Sequence, residues 1–153
     1  MAAGRLREGT TRPHDESITM HASHVIKVSI ARPYKQVYDF LLDPLNFPRW
    51  AANPDSDIRP MGGNDYLVDL PVGKRVIRFS PRNPFGVLDY EIFDEGKSVG
   101  PAVPVRLHRN GDGCELTFFW LQRDGVSDER FASDVEWVTS DLTRLKCLLE
   151  EED

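Results

Sequence analysis

The chain has 153 residues, 19 basic against 25 acidic side chains, and a formal charge of −6. A chain of this size forms one domain and buries about 70% of its surface on folding. With 40% hydrophobic and 29% charged residues it reads as a soluble globular protein, and no apolar run approaches the roughly 18 residues of a membrane span. The acidic balance excludes broad contact with a phosphate backbone, so nucleic acid is not an expected partner.

Residues 1–22 read as a disordered tail, because they are polar and aperiodic, and 23–151 as the folded domain. Met20 is an alternative start. The first twenty residues hold three arginines but no apolar stretch, so a secretory signal is not expected and the cytoplasm is the default compartment. Cys114 and Cys147 lie too far apart for a metal or redox motif and are expected to be reduced.

From His24 to Ala31 the chain alternates, with Ile26, Val28 and Ile30 on one face and Lys27 and Ser29 on the other, the period of a half-buried strand. Pro33 then supplies the φ of a first helical turn, and Tyr34, Val37, Tyr38 and Leu41 recur at helical spacing up to Asp43-Pro44. Prolines at 44 and 48 allow one more short helical turn, giving a helix, a kink and a second helix.

Six further strands are expected between turn residues at about ten-residue intervals. They are Asp57 to Met61, Tyr66 to Pro71, Arg75 to Ser80, Val87 to Phe93, Val103 to Arg109 and Cys114 to Gln122. With the first strand they make seven. Phe131, Val135, Val138, Leu142, Leu145 and Leu149 then fall along one face of a long amphipathic helix. Ser127 suits its N-cap, and Asp128 and Glu129 suit the positive end of its dipole. The closing run Glu150-Glu151-Glu152-Asp153 opposes the dipole, so the last turn is expected to fray.

The segment HVIKVSIARPYKQVYDFLLDPLNFPRWA, 24–51, is similar to the opening of the START-like (SRPBCC) helix-grip superfamily, which includes polyketide cyclase/dehydrase and lipid-transfer proteins. FSPRNPFGVLDYEI, 79–92, resembles a mid-sheet element of the same proteins, and the helix from Ser127 falls where the gripping helix stands. The resemblance implies an α+β helix-grip fold: a seven-stranded curved antiparallel sheet wrapped on a long C-terminal helix, with two short helices after the first strand. It also implies a wedge between sheet and helix that takes a small hydrophobic or aromatic molecule, lipid or polyketide-like. Two alternatives come with it. One is a polyketide cyclase or aromatase-like enzyme; the other is a protein-binding module resembling co-chaperone members.

The period-2 faces name the wall of that wedge. Leu88, Tyr90 and Ile92 oppose Asp89 and Glu91; Leu116, Phe118 and Trp120 oppose Glu115 and Thr117; Val103, Val105 and Leu107 oppose Arg106 and His108. Tyr66, Val68 and Leu70 oppose Asp69, and Ile77 with Phe79 opposes Arg78. The candidate lining is therefore Trp50, Tyr66, Val68, Phe79, Leu88, Tyr90, Val105, Phe118, Trp120, Val135, Val138 and Leu142. A packed core would contain the same residue types. Trp137 and Leu148 sit off the main seam of the last helix, where an entrance, a dimer contact or an exposed flank would lie.

The chemistry on offer is sparse. Histidines 14, 21, 24 and 108 form no ligand pair on one element, so neither metal nor cofactor is expected. No nucleophile elbow occurs, and Gly62-Gly63 reads as a hairpin turn, not a phosphate cradle. In the cyclase reading the acid–base candidates are Tyr90, Tyr66, Trp120 and Arg78, although alternation puts Arg78 outside and a tyrosine base needs a lowered pKa. A monomer or homodimer is expected.

Overall fold

The computed structural model describes residues 17–51, 55–70 and 73–151. Strand β1 (Ser23–Ile30) leads into α1 (Tyr34–Leu42), one turn of 3₁₀ helix at Pro44–Asn46 and α2 (Phe47–Ala51). There follow β2 (Ile58–Gly62), β3 (Asp65–Leu70), β4 (Gly73–Phe79) and β5 (Tyr90–Phe93). Then come β6 (Ala102–Val103), β7 (Val105–Asn110), β8 (Gly113–Leu121) and the long α3 (Asp128–Glu151). All pairings are antiparallel, and α3 packs against β1 and α2. The fold is α+β, of helix-grip type.

Among the described residues eight strands stand where seven were expected, and Pro104 is the reason. It has no N–H to give a ladder, so the expected strand Val103–Arg109 divides into β6, which pairs with β5, and β7, which pairs with β8. The sheet accordingly opens into a three-stranded part, β1-β8-β7, and a five-stranded part, β2-β3-β4-β5-β6. The expected strand Val87–Phe93 is shortened beside this break, keeping only a lone bridge from Val87 to Arg106 before β5 begins. Asp89 bridges the junction, its carboxylate accepting the Val105 amide at 2.8 Å and pairing with the Arg106 guanidinium. A side chain thus satisfies a backbone donor that the interrupted ladder leaves over.

Residues 1–16 of the expected tail lie outside the described residues. Residues 17–22 have no helix or strand, but the Ala22 carbonyl already accepts the Gln122 amide at 2.8 Å, and His21 lies 2.9 Å from the Asp124 carboxylate. The chain is therefore fastened to the end of β8 just before β1 starts.

Ser127 caps α3 as expected: its hydroxyl accepts the Arg130 amide at 3.1 Å. The other end differs from expectation, since the helix is intact to Glu151, with 152–153 outside the described residues. Arg32 is responsible, its guanidinium donating to the carbonyls of Leu149 at 2.8 Å and Glu150 at 2.7 Å, the orphan acceptors of a helix end. Glu150 is held as well, accepting from Lys146 at 2.7 Å and from the Ala31 amide at 2.8 Å. The charge that would oppose the dipole is paired with a cation and with a backbone amide just after β1.

The core lies between the sheet's inner face and the helices, and includes Ile26, Ile30, Val68, Ile77, Leu107, Leu116, Leu142, Leu145 and Leu149. Gly86 brings the Asn83–Val87 turn against β7. At φ +70° a Cβ there would stand 2.2 Å from the Leu107 carbonyl oxygen and 2.8 Å from the Tyr34 hydroxyl. Gly111 has a similar φ of +57° with nothing within 4 Å. Gly86→Ala is therefore expected to cost on the order of 3 kcal/mol in urea unfolding, against about 1 kcal/mol for Gly111→Ala, where only the backbone conformation is at stake. Equal losses would show that the close approach at Gly86 carries no energy.

Candidate functional site

Helix α2 has five residues, Phe47–Ala51, and three of them, Phe47, Pro48 and Trp50, are buried. Pro48 fits because the first turn of a helix needs no amide from it. Asp43 fixes the approach, its carboxylate accepting the Leu45 amide at 3.0 Å, and the Asn46 amide group donates to the Phe40 carbonyl at 3.0 Å. The result is that two rings enter the face of the sheet from a short, tightly turned segment.

Those rings join an aromatic cluster. Phe47 lies 5.4 Å from Trp50, 5.5 Å from Phe79 and 6.2 Å from Tyr90, centroid to centroid. Phe118 is 6.3 Å from Trp50 and 6.2 Å from Tyr90, while Tyr66 is 5.7 Å from Phe79. Every one of these contacts is edge to face, the arrangement the ring quadrupoles prefer. A cavity of about 30 Å³ opens among them, bordered by Leu41, Phe47, Trp50, Phe79, Leu88, Tyr90, Val105, Leu116 and Phe118. That is room for one or two water molecules and no more.

Six of the expected lining residues meet at this cavity: Trp50, Phe79, Leu88, Tyr90, Val105 and Phe118. Tyr66 touches it through Phe79, and Val68 is fully buried further along β3. From α3, Leu142 is buried and Val135 and Val138 pack against the core, but these three border neither this cavity nor the hollow beside Trp120. Trp120 borders the second of those, a hollow of about 140 Å³ where the sheet parts, together with Pro101–Pro104, Phe119, Leu121 and Arg123. Arg78 is on the outer face, where it makes a two-pronged pair with Asp65 at 2.7 and 3.0 Å, so it takes no part in the interior.

Phe47 and Leu41 are wall residues that alternation did not name, because they come from the helices after β1. Arg75 is another inner-face group: it lies opposite Val68 in the β3–β4 register and pairs with Asp94 at 3.1 Å. Asp141 is the fourth, standing among the inward positions of α3.

The polar groups of this interior have few partners. Among the described residues no hydrogen bond reaches the hydroxyl of Tyr90, although the residue is buried. Burial pushes that hydroxyl well above the ordinary phenol value, with the negative charge of Asp141 adding to the effect and Arg123 opposing it. Tyr90 is therefore a neutral hydrogen-bonding group and not a base. The Asp141 carboxyl is itself pushed up to about 6 by burial, and the positive charge of Arg144 only partly offsets this. Burial also raises the Cys114 thiol, helped by Glu115, which leaves it inert as a nucleophile.

No protein-family profile matches the chain, and no curated protein does. Solved structures do share its fold. The Aha1 dimer from Colwellia psychrerythraea matches with a TM-score of 0.66 at 16% identity, over 85% of this chain and 97% of that one. CalU16 from Micromonospora echinospora matches at 0.60 and 18% identity, over 86% of this chain and 76% of that one. DynU16, a protein of the dynemicin biosynthetic locus, matches at 0.61 and 20% identity over 84% of this chain; the match spans 47% of DynU16. At these identities the likeness establishes the helix-grip fold.

The Asp141 carboxyl provides a test of how far burial on α3 acts on its charge. Its native pKa lies above the unfolded value near 3.8, so the folded state holds the proton more tightly. The stability this confers is complete below the unfolded pKa and is lost as pH rises through about 6. Asp141→Asn is accordingly expected to stabilise the protein at pH 7.5 by on the order of 1 kcal/mol, the exposed part of the carboxyl screening the rest. At pH 4 the gain should vanish. A loss of stability at pH 7.5, or an equal gain at both values, would contradict the assignment.

Proposed function

We propose that the protein binds a small hydrophobic or aromatic molecule in the wedge between the curved sheet and the helices. The observation that carries this reading is the aromatic-walled cavity bordered by Tyr90, a residue only 9% exposed whose hydroxyl makes no hydrogen bond with any described residue. That hydroxyl is left available to a water or a ligand. The wall around it is apolar, the usual composition of a small-molecule site with a few orienting polar groups.

The cavity of about 30 Å³ is well below the roughly 300 Å³ of an occupied ligand site, so binding works by opening. The movable wall is α2. It is too short to be stable without its tertiary contacts, and it hangs on the burial of Phe47 and Trp50 and on the Arg144 donation to the Trp50 carbonyl at 3.5 Å. Displacing these two rings enlarges the interior without breaking any strand pairing.

The cyclase reading is weaker on the same geometry. A tyrosine base needs its pKa lowered, whereas burial raises that of Tyr90, and Arg78 lies outside.

Two measurements test the proposal. Native mass spectrometry of the purified full chain, followed by denaturing extraction, should find a co-purifying small apolar molecule, or thermal melts should show a ligand-dependent rise. Tyr90→Phe should leave the ligand-free protein as stable or up to about 1 kcal/mol more stable, since it removes an unpartnered hydroxyl, while weakening ligand binding about 3- to 10-fold. A Tyr90→Phe protein that is less stable and binds unchanged would mean that the hydroxyl serves the fold.

A further inference from the structure

The hollow where the sheet parts holds about 140 Å³ against about 30 Å³ for the aromatic cavity, and the two share no lining residue. Its origin is in the strand ends. β7 runs beside β8 as far as Val105, opposite Phe118, and the Phe119 amide still reaches the Pro104 carbonyl at 3.0 Å. From there β6 leaves to pair with β5, while β8 continues beside β1 to Leu121. Prolines at 101 and 104 bracket the two residues of β6, and neither has an N–H with which to draw that strand back to β8. The gap is therefore walled by the prolines on one side and by Phe119, Trp120 and Leu121 on the other. It opens to solvent, since Phe119 and Leu121 remain 41% and 47% exposed.

The polar side chains on this wall are both donors. Arg123 supplies a guanidinium and Trp120 an indole N–H, and no acid, amide or hydroxyl side chain borders the hollow among the described residues. Arg123 Nη2 donates to the Pro101 carbonyl at 3.2 Å, which holds the cation across the gap. Among the described residues no carboxylate pairs with Arg123, and no acceptor meets the Trp120 indole. Two acids stand near in register or in sequence, and both have other cations. Glu91, opposite Ala102, lies 3.8 Å from Arg78, and Asp124 lies 2.9 Å from His21.

Size and charge together select the occupant. The volume of about 140 Å³ is close to the roughly 150 Å³ of an apolar protein cavity that takes up benzene, so the hollow fits one ring. A guanidinium matches a planar carboxylate through two parallel N–H bonds; it repels an ammonium, and a neutral hydroxyl gains only one ordinary hydrogen bond. We propose that this hollow is a second ligand site, taking a monocyclic aromatic carboxylate whose ring lies against Trp120 and the prolines and whose carboxylate pairs with Arg123. The site is separate from the aromatic interior and does not depend on it.

Three probes of similar shape test the proposal: phenylacetate, 2-phenylethanol and 2-phenylethylamine. Each is titrated at neutral pH into the full chain and into Arg123→Gln, followed by the amide, indole and methyl NMR signals, which also confirm that the variant folds. Phenylacetate is expected to move the Ala102 and Leu121 amides and the Trp120 indole saturably, and to bind about three- to tenfold tighter than the alcohol, with the amine weakest. Arg123→Gln should bring phenylacetate down to the affinity of the alcohol and leave the alcohol unchanged. Equal binding of phenylacetate and alcohol to the unaltered protein, a preference that survives Arg123→Gln, or no saturable shift with any probe would overturn the proposal. Shifts at Leu41 and Leu88 with Leu121 unmoved would overturn it too, while supporting the interior site, so the two readings fail separately.

Discussion

The interior of this protein is organised by one ring. Phe47 stands within 6.2 Å of Trp50, Phe79 and Tyr90, so it joins α2 to both β4 and β5. A helix of five residues has no stability of its own; its position is whatever position buries Phe47 and Trp50. The wedge is consequently bordered by an element held mainly by the burial of two rings, with one hydrogen bond from Arg144 to the Trp50 carbonyl beside them.

The surrounding fold is braced at the places where regular hydrogen bonding stops. Pro104 interrupts the ladder, and Asp89 with Arg106 spans the gap. Arg32 closes the end of α3, and Glu150 ties that end to the strand-to-helix turn after β1. In each case a charged side chain satisfies backbone groups that would otherwise be orphaned. Tyr90 and Asp141 are the opposite case. Both are polar groups within or beside the core that make no hydrogen bond with a described residue, and Glu91 Oε2 is a buried acceptor in the same position.

The architecture and most of the wall were legible in the sequence because they follow from period. Alternation put Leu88, Tyr90, Val105, Phe118 and Phe79 inside, and the 3–4 spacing of Val138, Leu142, Leu145 and Leu149 found the gripping helix. What escaped did so for physical reasons. The break at Pro104 was written in the chain, as a proline between two valines, but a period count scores the valines and passes over the missing donor. Phe47 lay in a segment read for its prolines, and no periodicity operates over five residues. Asp141 was invisible because a stripe is drawn through its apolar members, and a carboxylate on that face counts as a gap. The frayed end of α3 was wrongly expected because the Glu150 partners, Lys146 apart, come from residues 31 and 32, more than a hundred positions away. Tertiary contact overruled the local dipole.

The central claim is that the aromatic interior, and not an outer surface, receives the ligand. The most direct measurement is a methyl-resolved NMR titration of the full chain with naphthalen-2-ylmethanol. Signals from Leu41, Leu88, Val105 and Leu116, which border the cavity, should shift together and saturably, while Val25, exposed on the outer face of β1, stays in place. A shift confined to Val25, or none at all, would contradict it and leave the aromatic cluster as an ordinary packed core.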